Sequence, residues 1–60
     1  MGPKYQWYVY ACKTMHYKYA TNVRAKSIKE ARQLGIREAL LVMGNHARIT
    51  SDEVTLNEHP

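Results

Sequence analysis

The 60 residues contain a single cysteine, Cys12, so the chain can close no internal disulfide and build no thiolate zinc cluster, which fits a reducing compartment. The longest uninterrupted apolar run, Ala39 to Met43, falls far short of the roughly 20 residues a membrane-spanning helix needs. No signal-peptide hydrophobic region is visible, and no repeat, low-complexity tract or linker composition breaks the sequence. These absences predict one soluble, cytoplasmic domain over residues 1–60 with no membrane contact, with flexible ends at 1–4 and 58–60. Chemistry-bearing motifs are missing as well. There is no G-x-G-x-x-G, Walker A, G-x-S-x-G or H-E-x-x-H. His16, His46 and His59 lack metal-ligand spacing, and Cys12 with His16 straddles a turn, so no metal and no cofactor is expected. A Cys12/His16 nucleophile pair would have no specified pocket or oxyanion hole. A ligand-sized pocket is hard to cut from so small a core, and the chain is therefore read as a non-enzyme.

Acidic residues are scarce too: five against nine Lys plus Arg, for a formal charge of +4. The imbalance is uneven along the chain. Residues 1–37 carry Lys4, Lys13, Lys18, Arg24, Lys26, Lys29, Arg32 and Arg37 against Glu30 alone. The remainder carries Arg48 against Glu38, Asp52, Glu53 and Glu58. A positive first half attracts phosphate backbones or an acidic protein surface in a salt-dependent way.

What is present is enough to fold. The apolar share is 45%, typical of a globular chain. Residues Tyr5 to Cys12 and Tyr17 to Ala25 are rich in aromatic and β-preferring types and flank the polar segment Lys13-Thr14-Met15-His16, which predicts a hairpin. Pairing Ala11 with Tyr17, Val9 with Tyr19, Trp7 with Thr21 and Tyr5 with Val23 gathers Trp7, Val9, Ala11, Tyr19 and Val23 on a core face. That register leaves Gln6, Tyr8 and Tyr10 beside Lys18, Ala20, Asn22 and Arg24 on the other face.

Ser27-Ile28-Lys29-Glu30 has the spacing of a capping box, so a helix is predicted from Ile28. Ile28, Ala31, Gly35, Ala39 and Val42 form one stripe on a helical wheel, widened by Ile36 and Met43, and Gly44-Asn45 supplies the stop. Gly35 weakens the helix by about 1 kcal/mol relative to Ala. Its expected role is a close approach of helix backbone to the aromatic sheet, with a break or hinge in the helix as the alternative. Beyond the stop, Arg48-Ile49-Thr50, a turn at Ser51-Asp52 and the alternating run Glu53 to Asn57 read as a last strand, bulged at the turn. The expectation is an α+β fold of order β-β-α-β, one helix packed on a three-stranded, mostly antiparallel sheet whose second face is uncovered.

In that register Tyr8 and Tyr10 project from the uncovered face beside Lys18 and Arg24, with Lys13 and Lys29 as peripheral steering charges. Flat rings among cations suit stacked bases and phosphates, and equally suit the hot spots of protein interfaces. Leu34 and Leu41, seven apart on one side of the helix, are read as a seam for a homodimer or a partner helix.

Val23-Arg24-Ala25-Lys26 before a polar helix start, Gly44 with His46 after it, and the run Ile49, Val54, Leu56 together resemble the small LX-type large-subunit ribosomal proteins of archaea. That resemblance implies a β-β-α-β fold and an RNA partner. The chain departs from the family's pattern where Asp52 and Glu53 occupy a typically basic stretch. The same element order resembles compact phage-encoded proteins that disable a host machine, such as small inhibitors of bacterial RNA polymerase. The functional expectation is a small binding protein, of phage or mobile-element type, that docks on a larger protein or nucleoprotein machine to inhibit or recruit it. The alternative is direct binding of RNA or single-stranded nucleic acid.

Overall fold

Thr14 decides how the chain reverses. Its amide donates to the Tyr17 carbonyl at 2.8 Å, and its hydroxyl oxygen accepts from the amides of His16 and Tyr17 at 3.3 and 3.0 Å. A Thr side chain that captures following backbone amides is a turn former in its own right. The loop therefore comprises Thr14 to Tyr17, between β1 (Gln6–Lys13) and β2 (Lys18–Ala25). The computed structural model describes residues 4–58. Part of the expected flexible ends, residues 1–3, 59 and 60, and with it His59, lies outside the described residues.

The position of the loop corrects the expected register. Lys13 pairs with Lys18, Ala11 with Ala20, Val9 with Asn22 and Trp7 with Arg24. Ala11 thus meets a residue three positions beyond Tyr17, and because side chains alternate along a strand, an odd shift exchanges the faces of β1 relative to β2. Tyr8, Tyr10 and Cys12 consequently join Tyr19, Val23 and Ala25 on the covered face. Trp7, Val9 and Ala11 turn to the open one. The placement of Tyr8 and Tyr10 in solvent is overturned: Tyr8 is 5% and Tyr10 0% exposed.

After β2, Ser27 caps α1 (Ile28–Met43), accepting from the Glu30 amide at 3.1 Å. Gly44 ends the helix at φ 106°, a backbone conformation that favours glycine, and its amide donates to the Leu40 carbonyl. Ala31, Gly35 and Ala39 are buried along the helix, four residues apart. This row of small residues lets the backbone descend onto the tyrosines. A Cβ built at Gly35 would lie 2.6 Å from Tyr10 Cδ2 and nearer still to Cγ, so only glycine fits above that ring. Ile36 and Met43 pack beside Tyr10, Cys12 and Ala39. Ile28 and Val42, expected on the stripe, are exposed instead; they flank the buried row at the two ends of the helix.

The expected turn at Ser51-Asp52 is replaced by continuous strand β3 (Ser51–Leu56), paired antiparallel with β1 from Lys13↔Ser51 to Tyr8↔Leu56. Backbone bonds from Thr50 to Lys13 and from Asn57 to Trp7 extend the ladder at both ends. The sheet order is β2-β1-β3, with β1 central, α1 across one face and both outer strands as edges. This is the expected α+β arrangement of one helix on a three-stranded antiparallel sheet.

Asp52, on the covered face opposite Cys12, links the layers. Its Oδ2 accepts from the Tyr10 hydroxyl at 3.1 Å and from Arg32 Nε at 3.0 Å. The helix, the central strand and an edge strand thus meet at one carboxylate. Its side chain is 13% exposed against 60% for Arg32, so the pair is screened on the arginine side and its main effect is geometric. Burial raises the Tyr10 phenol well above its ordinary value of 10.0, reinforced by its bond to Asp52. Tyr10 is therefore a neutral donor across the physiological range.

Candidate binding surface

The face of the sheet away from the helix is set by alternation along three strands. From β1 it receives Trp7, Val9, Ala11 and Lys13; from β2, Lys18, Ala20, Asn22 and Arg24; from β3, Ser51, Glu53 and Thr55. Among the described residues no second layer covers it. Trp7, the chain's one tryptophan, stands on the central strand and is 41% exposed. Beside it the Asn57 amide side chain donates to Asn22 Oδ1 at 3.1 Å. Asn22 is the partner of Val9 and the Asn57 backbone bonds to Trp7, so this bond spans β1 and ties the two outer strands together.

At the Trp7 end, Tyr5 gathers cations. Arg24 Cζ lies 5.6 Å and Lys26 Nζ 5.1 Å from the centre of its ring. Both distances are within range for attraction between a cation and the negative face of an aromatic ring. Arg24 is also the direct cross-strand partner of Trp7. At the hairpin end, Lys13 and Lys18 are direct partners, two like charges facing each other, an arrangement that costs stability. A shallow depression at this end is bordered by Lys13, Lys18, Ala20 and Glu53. Among the described residues the single ion pair is Arg32–Asp52, on the helix side, so Lys13, Lys18 and Arg24 on the open face and Lys26 at its margin form no ion pair with a carboxylate of these residues.

The residues expected to act together are therefore split. Lys13, Lys18 and Arg24 do share the uncovered face, whereas Tyr8 and Tyr10 lie under the helix. Lys29 is exposed on α1, in the other layer. Leu34 packs against the cluster of Tyr8, Val23, Ala25 and Ala31, while Leu41 is 75% exposed by itself. The two leucines consequently form no continuous exposed seam, because the helix meets the sheet over Leu34 and has little beneath Leu41. The sequence reading missed Tyr5, Trp7 and Lys26. The signal available for them was Thr14, whose turn-forming side chain captures the amides of His16 and Tyr17 and so places the loop at Thr14 to Tyr17, which gives the opposite face for Trp7.

Cys12 is 4% exposed and lies on the covered face, whereas His16 is exposed in the turn, so the two do not form a reactive pair. Among the described residues no group of three His, Cys, Asp or Glu side chains is placed to hold a metal, and no helix is long and apolar enough to cross a membrane. No protein-family model, curated protein or solved structure matches the chain. The functional reading accordingly rests on the surface geometry.

Proposed function

We propose that this chain is a non-enzymatic binding protein that docks through its uncovered sheet face on a larger macromolecular partner and acts by blocking or recruiting it. The observation that carries the reading is Trp7, held on the central strand of an open face with Arg24 directly opposite. Tryptophan and arginine head the residue types that dominate binding energy at interfaces, chiefly when a partner desolvates them. Val9, Ala11 and Ala20 supply an apolar middle, and the charges stand at its ends, the usual layout of interface centre and rim. The buried thiol and the scattered histidines favour binding over catalysis.

The test is affinity purification of the tagged protein from its own host, in parallel with a Trp7→Ala/Arg24→Glu variant, each with and without nuclease. The expected result is a partner recovered by the wild type and lost by the variant, with circular dichroism and thermal midpoint showing the variant folded. Equal recovery by a folded variant rejects this face as the docking surface.

A further inference from the structure

We propose that the occupant of the open face is a single-stranded nucleic acid, one of whose bases stacks on Trp7 while its phosphates run between the Arg24/Lys26 end and the Lys13/Lys18 end. This rests on the docking reading above and adds the chemistry of the partner.

Charge is the first argument. The face and its margin carry Lys13, Lys18, Arg24 and Lys26 against Glu53 alone, and no ion pair among the described residues neutralises them. A second copy of this chain would bring like charge against like charge, so self-association through this face is disfavoured. Lys13 and Lys18 repel each other as direct cross-strand partners, and a phosphate between them turns that repulsion into attraction.

Spacing is the second. From Trp7 to Lys13 is six residues of strand, about 20 Å at roughly 3.3 Å per residue. The two cationic ends are thus separated by a length that a few nucleotides of extended strand can follow. Between them lies a floor of Val9, Ala11, Ala20 and Asn22, whose one charged neighbour is Glu53, the β3 partner of Ala11.

Ring placement is the third. Tyr5 already has two cations over its ring and serves to position Arg24 and Lys26. Trp7 is the exposed ring of the central strand and is available to stack. A stacked base tolerates any sequence, because every base presents a π-face. A duplex hides the faces of its bases within the stack and presents phosphates and base edges instead.

Because Trp7 is the chain's one tryptophan, its fluorescence reports on this step directly. The experiment titrates the full chain with eight-nucleotide oligo(dT) and oligo(U), with a duplex of the same length, and with poly-glutamate, at low and moderate salt. Expected are quenching by the single strands and little quenching by the duplex or poly-glutamate. The logarithm of the binding constant should fall with log salt at a slope of about −3, the value for four phosphates neutralised on a single strand. Tyrosine-detected or labelled-oligonucleotide binding by Trp7→Ala should be weaker by roughly 5- to 150-fold, and Lys18→Glu/Arg24→Glu should abolish binding while circular dichroism stays unchanged. No quenching at low salt, or poly-glutamate performing as well as the oligonucleotides, overturns the nucleic-acid assignment. If the oligonucleotides fail while the purification above yields a nuclease-resistant partner lost by Trp7→Ala/Arg24→Glu, the docking face stands and its occupant is a protein.

Discussion

Gly35→Ala is the sharpest test of how the helix meets the sheet. Inside an exposed helix the change stabilises by about 1 kcal/mol, since alanine is the best helix former and glycine among the worst. Here the added methyl would lie 2.5 Å from Tyr10 Cβ and 2.6 Å from Tyr10 Cδ2, where unstrained carbons sit ~3.5–4.0 Å apart. The overlap is thus on the order of 1 Å against several atoms at once. Tyr10 has nowhere to withdraw to. It is fully buried, its hydroxyl is tied to Asp52, and its Cβ belongs to the central strand, paired on both sides. The helix must therefore lift, opening gaps beneath Ala31 and Ala39. Overpacking of a tight core costs about 1–3 kcal/mol and sometimes more, and with contact this close to the main chain the upper part of that range applies. After the propensity gain is set against it, a net loss of roughly 2 kcal/mol remains, equivalent to a fall in thermal midpoint of about 8–16 °C for a domain of this size. Thermal and urea unfolding followed by circular dichroism read the effect, with Gln33→Ala, at an exposed position of the same helix, as the propensity control. A Gly35→Ala protein as stable as the wild type, or more so, would refute the close contact.

Two further outcomes follow from the covered face. The Tyr10 phenol is raised above its unfolded value of 10.0, so the folded state holds its proton where the unfolded chain has released it; stability is full below about pH 10 and declines as pH rises toward the folded value. Urea midpoints measured between pH 8 and 11 should fall more steeply for the wild type than for Tyr10→Phe, and parallel profiles would remove Tyr10 as the cause. Cys12, buried at 4% exposure, should react with an aromatic disulfide reagent in native buffer only as fast as the chain opens, and at once in denaturant. Immediate labelling of the native protein would place the thiol outside the core.

How much of this was legible beforehand depended on the range of the interaction responsible. The helix ends were readable because Ser27 and Gly44 act within a few residues of themselves, through a side-chain bond to the Glu30 amide and a left-handed backbone. The role of Gly35 was readable in kind, since a glycine in a stripe with Ala31 and Ala39 implies close packing. The element order β-β-α-β followed from alternation and from the single long helical stripe, whereas the pairing of the last strand with the first is a finding of the structure. The charge asymmetry that makes the open face basic needed nothing beyond the residue order.

Which face of the sheet stays open was not decided at that range. Tyr8 with Tyr10 and Trp7 with Val9 are two alternating sets of comparable apolar character on one strand, and either could have been buried. The choice came from the loop bridged by Thr14, which sets the β1–β2 register, and from the row Ala31, Gly35, Ala39, which offers a shallow surface to Tyr8 and Tyr10. Local propensity is the same for both faces of a strand; only packing against a second layer distinguishes them. Sequence alone thus determined the elements, their order and the sign of the surface charge. Tertiary structure decided which aromatic rings that charge surrounds, because a one-face burial is settled by the partner that covers it.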